Sequence, residues 1–155
     1  MLYFAYGSNM NWDQISKRCP SAQFDSVAKA VGYRLAFTRF SEGRNCGVAD
    51  IVASPGSEVW GVIFVIFDLE IDDLDKSEGY RPLRARGENA YERRQFEVVR
   101  QGCASAVTVW TYFVVNKLKM ALRPSAAYKA LILDGARHWH LPARYVDELE
   151  RIKTQ

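Results

Sequence analysis

Side chains that could do chemistry are few in this 155-residue chain, and the usual ones are poorly arranged for it. The two histidines, His138 and His140, flank Trp139. Two residues apart on a helix, they face different directions. A base near a helix C-terminus offsets the helix dipole and needs no catalytic explanation. The three cysteines, Cys19, Cys46 and Cys103, are odd in number and far apart, so they form neither a CxxC pair nor a disulfide framework. They fit a reducing compartment. No HExxH, EF-hand loop, GxxxxGKS or GxGxxG occurs. Metal, phosphate-loop and dinucleotide chemistry therefore lack their signatures, and no cofactor and no metal is expected.

Two features remain. Tyr6-Gly7-Ser8-Asn9 ends an apolar run. It reads either as a plain turn or as a nest of backbone N–H groups, freed by Gly7, that faces a ligand oxygen. Such a nest stabilises a developing oxyanion without a charged side chain. The second feature is Glu78. A helix over Leu69 to Ser77 has Ile71 and Leu74 as its apolar stripe, and Glu78 continues that stripe seven and four residues later. Asp72, Asp73 and Lys76 point elsewhere, and Asp75 lies at the edge. A carboxylate aimed inward is expected to be desolvated, with its pKa raised to where it both takes and gives a proton. The alternative is a structural carboxylate satisfied by Tyr or Arg.

The elements that hold these residues follow from periodicity. Leu2 to Tyr6 reads as a buried strand and Asn11 to Arg18 as a short helix stopped before Pro20. Gly32 to Arg39 alternates as a strand. Gly47 to Ala53 and Val59 to Phe67 read as a hairpin around Ser54-Pro55-Gly56-Ser57. Asp68 is the expected cap of the Leu69 to Ser77 helix, which stops at Gly79. Tyr91 to Arg100 and Ala104 to Val115 are strands around Gln101-Gly102. The period then turns helical. Tyr128, Leu131, Ile132 and Trp139 share one face, with Ala136 beside them, and Tyr145, Leu149 and Ile152 repeat the pattern after Pro142. The expectation is an α/β (α+β) protein of one domain, residues 1–155. Its five or six strands are mostly hairpin-connected, and so mixed or barrel-like.

Composition sets the outer bounds. Hydrophobic residues make up 48% and charged residues 25%, the profile of a folded chain. The net charge is +3, and the basic residues are scattered apart from Arg81, Arg84 and Arg86 and the pair Arg93 and Arg94. That argues against nucleic acid as a partner. The longest apolar run, Val62 to Phe67, is too short to span a bilayer. The first residues have no basic segment and no long apolar run, so no signal peptide is expected and the location expected is cytoplasmic.

At the residues singled out above, the chain resembles the gamma-glutamylcyclotransferase family. The resemblance begins at Tyr3-Phe4-Ala5-Tyr6-Gly7-Ser8-Asn9. It continues through Pro20-Ser21-Ala22, Val27-Ala28, Gly47 to Ala49, Ser54-Pro55-Gly56 and Glu58 to Val62. Leu74-Asp75, Glu78-Gly79, Tyr128-Lys129, Gly135-Ala136 and Leu141-Pro142 complete it in order. The resemblance implies a small, mostly antiparallel barrel with flanking helices. It implies that a substrate's own α-amino group attacks its γ-carbonyl and closes to 5-oxoproline, while the amino acid or amine on the γ-amide leaves. The nucleophile lies in the substrate, so no catalytic Ser, Cys or metal is needed. It assigns the acid/base role to Glu78, the substrate loop to Tyr6, Gly7, Ser8 and Asn9, and pocket walls to Tyr112 and Tyr128. The implied partner is a small γ-glutamyl compound; a homodimer is left open.

One segment departs from the family pattern. Tyr80 to Ala90 is longer and more basic than expected, either a lid whose Arg81, Arg84 and Arg86 read a substrate carboxylate or a solvated loop. Three other readings stay open: another cyclotransferase that releases an amine or processes a tagged intermediate, a non-enzymatic binder of a small acidic metabolite, and an RNA-associated protein.

Overall fold

The computed structural model describes residues 1–155. The first apolar run forms β1 (Leu2–Ala5), in which Tyr3, Phe4 and Ala5 are all buried. Burial on both faces is what a continuous apolar run requires. A single 3₁₀ turn at Ser8–Met10 leads into α1 (Trp12–Arg18). Asn11 caps that helix, its side-chain oxygen accepting the Gln14 amide at 3.0 Å.

Two long antiparallel strands follow, β2 (Gln23–Ser41) and β3 (Cys46–Val65). They correct the expected hairpin at Ser54-Pro55-Gly56-Ser57. Val31 pairs with Glu58 and Tyr33 with Ala53, so those four residues bulge opposite Gly32 instead of reversing the chain. The partner strand runs on past the interruption and keeps both halves paired, so turn-forming residues make a bulge. The true reversal lies at Glu42–Asn45, where the Asn45 amide bonds back to the Glu42 carbonyl at 3.1 Å.

A 3₁₀ turn at Asp68–Glu70 precedes α2 (Ile71–Ser77). Asp68 does not cap the helix as expected; its carboxylate faces the Met1 amino group at 3.3 Å. Gly79 ends the helix with φ +66°, and the Tyr80 amide bonds back to the Asp75 carbonyl at 2.9 Å. β4 (Tyr91–Arg100) and β5 (Ala106–Val114) form an antiparallel pair. The five strands close into a barrel in the order β1-β3-β2-β4-β5, sealed by parallel pairing of Tyr3 with Trp110.

Ser125 caps α3 (Ala126–His138), accepting the Tyr128 amide at 3.1 Å. The helix buries Tyr128, Ile132, Gly135 and Ala136, and α4 (Ala143–Glu150) buries Tyr145 and Leu149. Gly135 is pressed against the 3₁₀ turn. A Cβ there would lie 2.5 Å from the Met10 carbonyl carbon and 2.7 Å from the Asn11 nitrogen. Trp139 adds a bond from Nε1 to the Met10 carbonyl at 2.8 Å. α3 and the Trp139 that follows it therefore clamp the Ser8–Met10 turn. No helix is long and apolar enough to cross a membrane.

Candidate active site

β1 delivers the chain to the barrel mouth, and the 3₁₀ turn places Ser8 and Asn9 beneath α3. The amides of Ser8 and Asn9 open this turn, so no upstream turn carbonyl is positioned to take them. Gly7 has φ −115° and ψ −143°, so the turn does not depend on a left-handed glycine. Closeness is what restricts the site: a Cβ at Gly7 would lie 3.1 Å from the Ala49 Cβ and 3.7 Å from the Tyr128 hydroxyl.

Glu78 is the C-cap residue of α2 and reaches the same turn. Its Oε1 accepts from Asn9 Nδ2 at 2.9 Å and from Arg18 Nη1 at 2.8 Å. Oε2 has no protein partner and is not sealed from solvent. The carboxylate is therefore held by one oxygen and presents the other. This differs from the expected isolated carboxylate on an apolar stripe. Ile71 is only half-buried, and the buried acid of the helix is Asp75, whose side chain is 3% exposed against 15% for Glu78. Asp75 accepts the Tyr112 hydroxyl at 2.5 Å and faces Arg93 Nε at 3.3 Å. Burial raises its pKa, opposed by the Tyr112 bond and the Arg93 charge.

The turn is wired to α1 through one helix face. Gln14 Nε2 donates to Ser8 Oγ at 2.9 Å and to Asn9 Oδ1 at 2.8 Å. Arg18, one turn on, donates to Asn9 Oδ1 at 2.8 Å as well as to Glu78. Asn9 also donates to the Tyr3 hydroxyl at 2.8 Å. Every polar atom of the Asn9 amide is thus used, which orients the turn and Glu78 together.

Five tyrosines line the wall: Tyr3, Tyr6, Tyr91, Tyr112 and Tyr128. Burial holds each hydroxyl above its ordinary pKa, so all five are neutral. Three spend their protons inside the protein. Tyr6 donates to the Tyr112 carbonyl at 2.6 Å, Tyr91 to the Ala49 carbonyl at 2.7 Å, and Tyr112 to Asp75. Tyr128 accepts the Ala49 amide at 3.1 Å and Tyr3 accepts from Asn9, which leaves the proton of each for another oxygen.

These groups enclose an inner cavity of about 30 Å³. It adjoins an outer cleft of about 260 Å³ that shares Ser8, Glu78, Tyr91 and Tyr128 with it. All of Tyr6, Gly7, Ser8, Asn9, Glu78, Tyr112 and Tyr128 meet at the inner cavity. Arg81, Arg84 and Arg86 line neither space. Arg86 is paired with Glu92 of β4 at 2.7 Å, Arg84 Nη1 reaches the Glu88 carbonyl at 3.4 Å, and Arg81 is exposed. The histidines are exposed and line neither space.

Tyr3, Tyr91, Gln14 and Arg18 belong to the site and escaped the sequence reading. Gln14 and Arg18 had a signal, since residues four apart share the helix face that follows Asn9. Tyr3 also had one, because a tyrosine within a buried run must find a partner for its hydroxyl. A larger cleft of about 400 Å³ lies between α4 and the Gly56 bulge. Of its two carboxylates, Glu58 and the exposed Glu148, Glu58 is already taken by Lys29 at 2.8 Å, by Trp60 Nε1 at 3.0 Å and by Arg144.

Known proteins resemble this chain in sequence and in fold. Residues 58–149 match the AIG2-like family. A mouse protein named gamma-glutamylcyclotransferase is 36% identical, over 98% of this chain and 78% of its own length. A human protein of the same name is 34% identical over the same shares. A solved structure named gamma-glutamyl cyclotransferase superposes with a TM-score of 0.89 at 32% identity, covering 100% of this chain and 89% of that one. On matched length, identity and superposed fold together, the chain belongs to the AIG2-like, gamma-glutamylcyclotransferase family.

Proposed function

We propose that the chain converts a γ-glutamyl amide to 5-oxoproline and a free amine, with Glu78 moving the protons. The observation that carries this reading is the half-tethered carboxylate. One oxygen of Glu78 is fixed by Asn9 and Arg18, the other has no protein partner, and Glu78 lines both the inner cavity and the outer cleft.

The substrate's α-ammonium gives a proton to Glu78, and the freed nitrogen attacks the γ-carbonyl carbon. The carbonyl π pair moves onto oxygen. The Ser8 and Asn9 amides and the Tyr128 hydroxyl are the donors suited to that oxyanion. When it collapses, the γ-carbon to amide-nitrogen bond breaks. The original ammonium loses two protons and keeps one as the ring N–H; the departing nitrogen gains two and leaves as an ammonium. No water, oxidant or second substrate is consumed. What the protein supplies is a folded conformer of the substrate and a proton carrier in reach of both nitrogens. Five neutral tyrosines make a wall that hydrogen-bonds without competing for that proton. We place the enzyme in the cytoplasm, a reading supported by its three free cysteines.

The test is a panel of γ-glutamyl dipeptides, glutathione and γ-glutamyl amines, scored for 5-oxoproline. Release from at least one member with Glu78 required is expected. Tight binding of the panel without release would favour a binder over an enzyme.

A further inference from the structure

Asp75 is the one acid of α2 whose side chain is buried, and it takes no part in the proton transfers. Its Oδ1 accepts the Tyr112 hydroxyl at 2.5 Å and faces Arg93 Nε at 3.3 Å. Arg93 and Tyr112 are register partners across β4 and β5, so one point on the barrel wall receives the carboxylate. Its Oδ2 is buried with no hydrogen-bond partner. A buried acid in that state is a poor stabiliser compared with an apolar residue such as its neighbour Leu74, which is also buried. What the hydrogen bond adds over apolar contact is direction, and direction fixes how the helix is rotated against the wall. Asp75 also anchors Glu78 through the backbone. Its carbonyl accepts the Glu78 amide at 3.2 Å and the Tyr80 amide at 2.9 Å, so the turn that carries Glu78 hangs from the residue bonded to Tyr112. On the other side, Glu78 accepts from Asn9, Asn9 donates to the Tyr3 hydroxyl at 2.8 Å, and the Tyr3 ring meets the Tyr112 ring edge-on at 5.8 Å. Glu78, Asn9, Tyr3, Tyr112 and Asp75 thus form a closed circuit of contacts.

We propose that Asp75 is a positioning residue, which sets Glu78 against the Ser8–Met10 turn through its bond to Tyr112. This rests on Glu78 as the proton carrier. The carrier must reach two nitrogens in succession, and a misplacement of about 1 Å costs on the order of 100-fold in rate. Asn9 and Arg18 hold only Oε1 of Glu78; they do not hold the helix it stands on. The Asp75–Tyr112 bond ties that helix to the same wall that lines the inner cavity.

The test measures kcat and KM for 5-oxoproline release from the panel member turned over fastest, well below the Tm of each variant. Asp75→Ala is expected to lower kcat roughly 10- to 100-fold with KM changed by less than about three-fold, because the loss falls on the reacting geometry and not on ground-state binding. Asp75→Asn keeps an acceptor for the Tyr112 hydroxyl and retains most of kcat. Tyr112→Phe keeps the ring and removes the same bond, so it reads the effect even where Asp75→Ala does not fold. The double variant is no slower than the slower single one. In the Glu78→Gln protein Asp75→Ala adds no further loss, because the group it positions is gone. A residue that only holds the fold together would lower Tm and leave kcat unchanged in every variant, and that result overturns the proposal. So does a loss in Asp75→Asn as large as in Asp75→Ala, or a full further loss in the Glu78→Gln protein. Failure of the folded, unaltered protein to release 5-oxoproline from any panel member overturns the reaction itself, and the positioning role falls with it.

Discussion

Replacing Glu78 by Gln separates chemistry from architecture at this site. Oε1 of Glu78 receives the Asn9 amide and the Arg18 guanidinium, and a Gln oxygen in the same place can accept both. What the amide cannot do is take a proton at the second position. Losing a positioned acid/base group costs about 10²- to 10⁴-fold in rate, or roughly 3 to 5 kcal/mol of barrier. The structural loss is smaller. The Arg18 contact becomes a charged-to-neutral bond between side chains 23% and 15% exposed, worth about 1 kcal/mol less. For a domain of this size that lowers Tm by roughly 2 to 4 °C. An isolated desolvated carboxylate would have made Gln the more stable residue; pairing with Arg18 reverses that expectation. The assay is 5-oxoproline release from a γ-glutamyl dipeptide, run beside a thermal melt. A Glu78→Gln protein that melts a few degrees early yet turns over at near the normal rate would refute the assignment. One that does not fold would make Glu78 a structural residue.

Other outcomes follow from packing, titration and composition. Gly7→Val places methyl groups against Ala49 and the Tyr128 hydroxyl, and is expected to lower kcat more than Tm; unchanged kcat would reduce the loop to a turn. Gly135→Ala puts a Cβ into the backbone of Met10 and Asn11, where nothing can rotate away, so a melt should show stability lower by roughly 1 to 3 kcal/mol of overpacking, with kcat reduced alongside. Burial raises the Asp75 pKa above 3.8, so the fold holds this proton more tightly than the unfolded chain does. That contribution is complete below the unfolded value and is lost as pH rises through the folded one. The Tm of the unaltered protein minus that of Asp75→Asn should therefore fall with rising pH just above that value, then level off; a pH-independent difference would contradict it. Exhaustive chelation should leave activity intact, and loss restored by one added metal would sink the proposed mechanism.

Local chemistry in the sequence already determined a good deal of this protein. The buried run ending in Tyr6-Gly7-Ser8-Asn9, the Tyr91 to Arg100 strand and the two C-terminal helices each obey one period, and a period is readable from neighbours in the chain. The Asn11 cap and the stop at Gly79 are equally local, since each depends on bonds spanning a few residues. Tertiary structure decided the rest. Whether Ser54-Pro55-Gly56-Ser57 would reverse the chain or bulge depended on β2 lying alongside, a partner more than twenty residues away. Which acid of α2 would be buried depended on Tyr112 and Arg93 arriving from β5 and β4. Arg18 and Asn9 meet Glu78 across 60 and 69 residues of chain, and the outer cleft assembles Arg39 and Arg44 beside them. Periodicity specifies which face a side chain takes; only the closed barrel specifies what stands opposite that face, and the charge of that neighbour decides what a carboxylate can do.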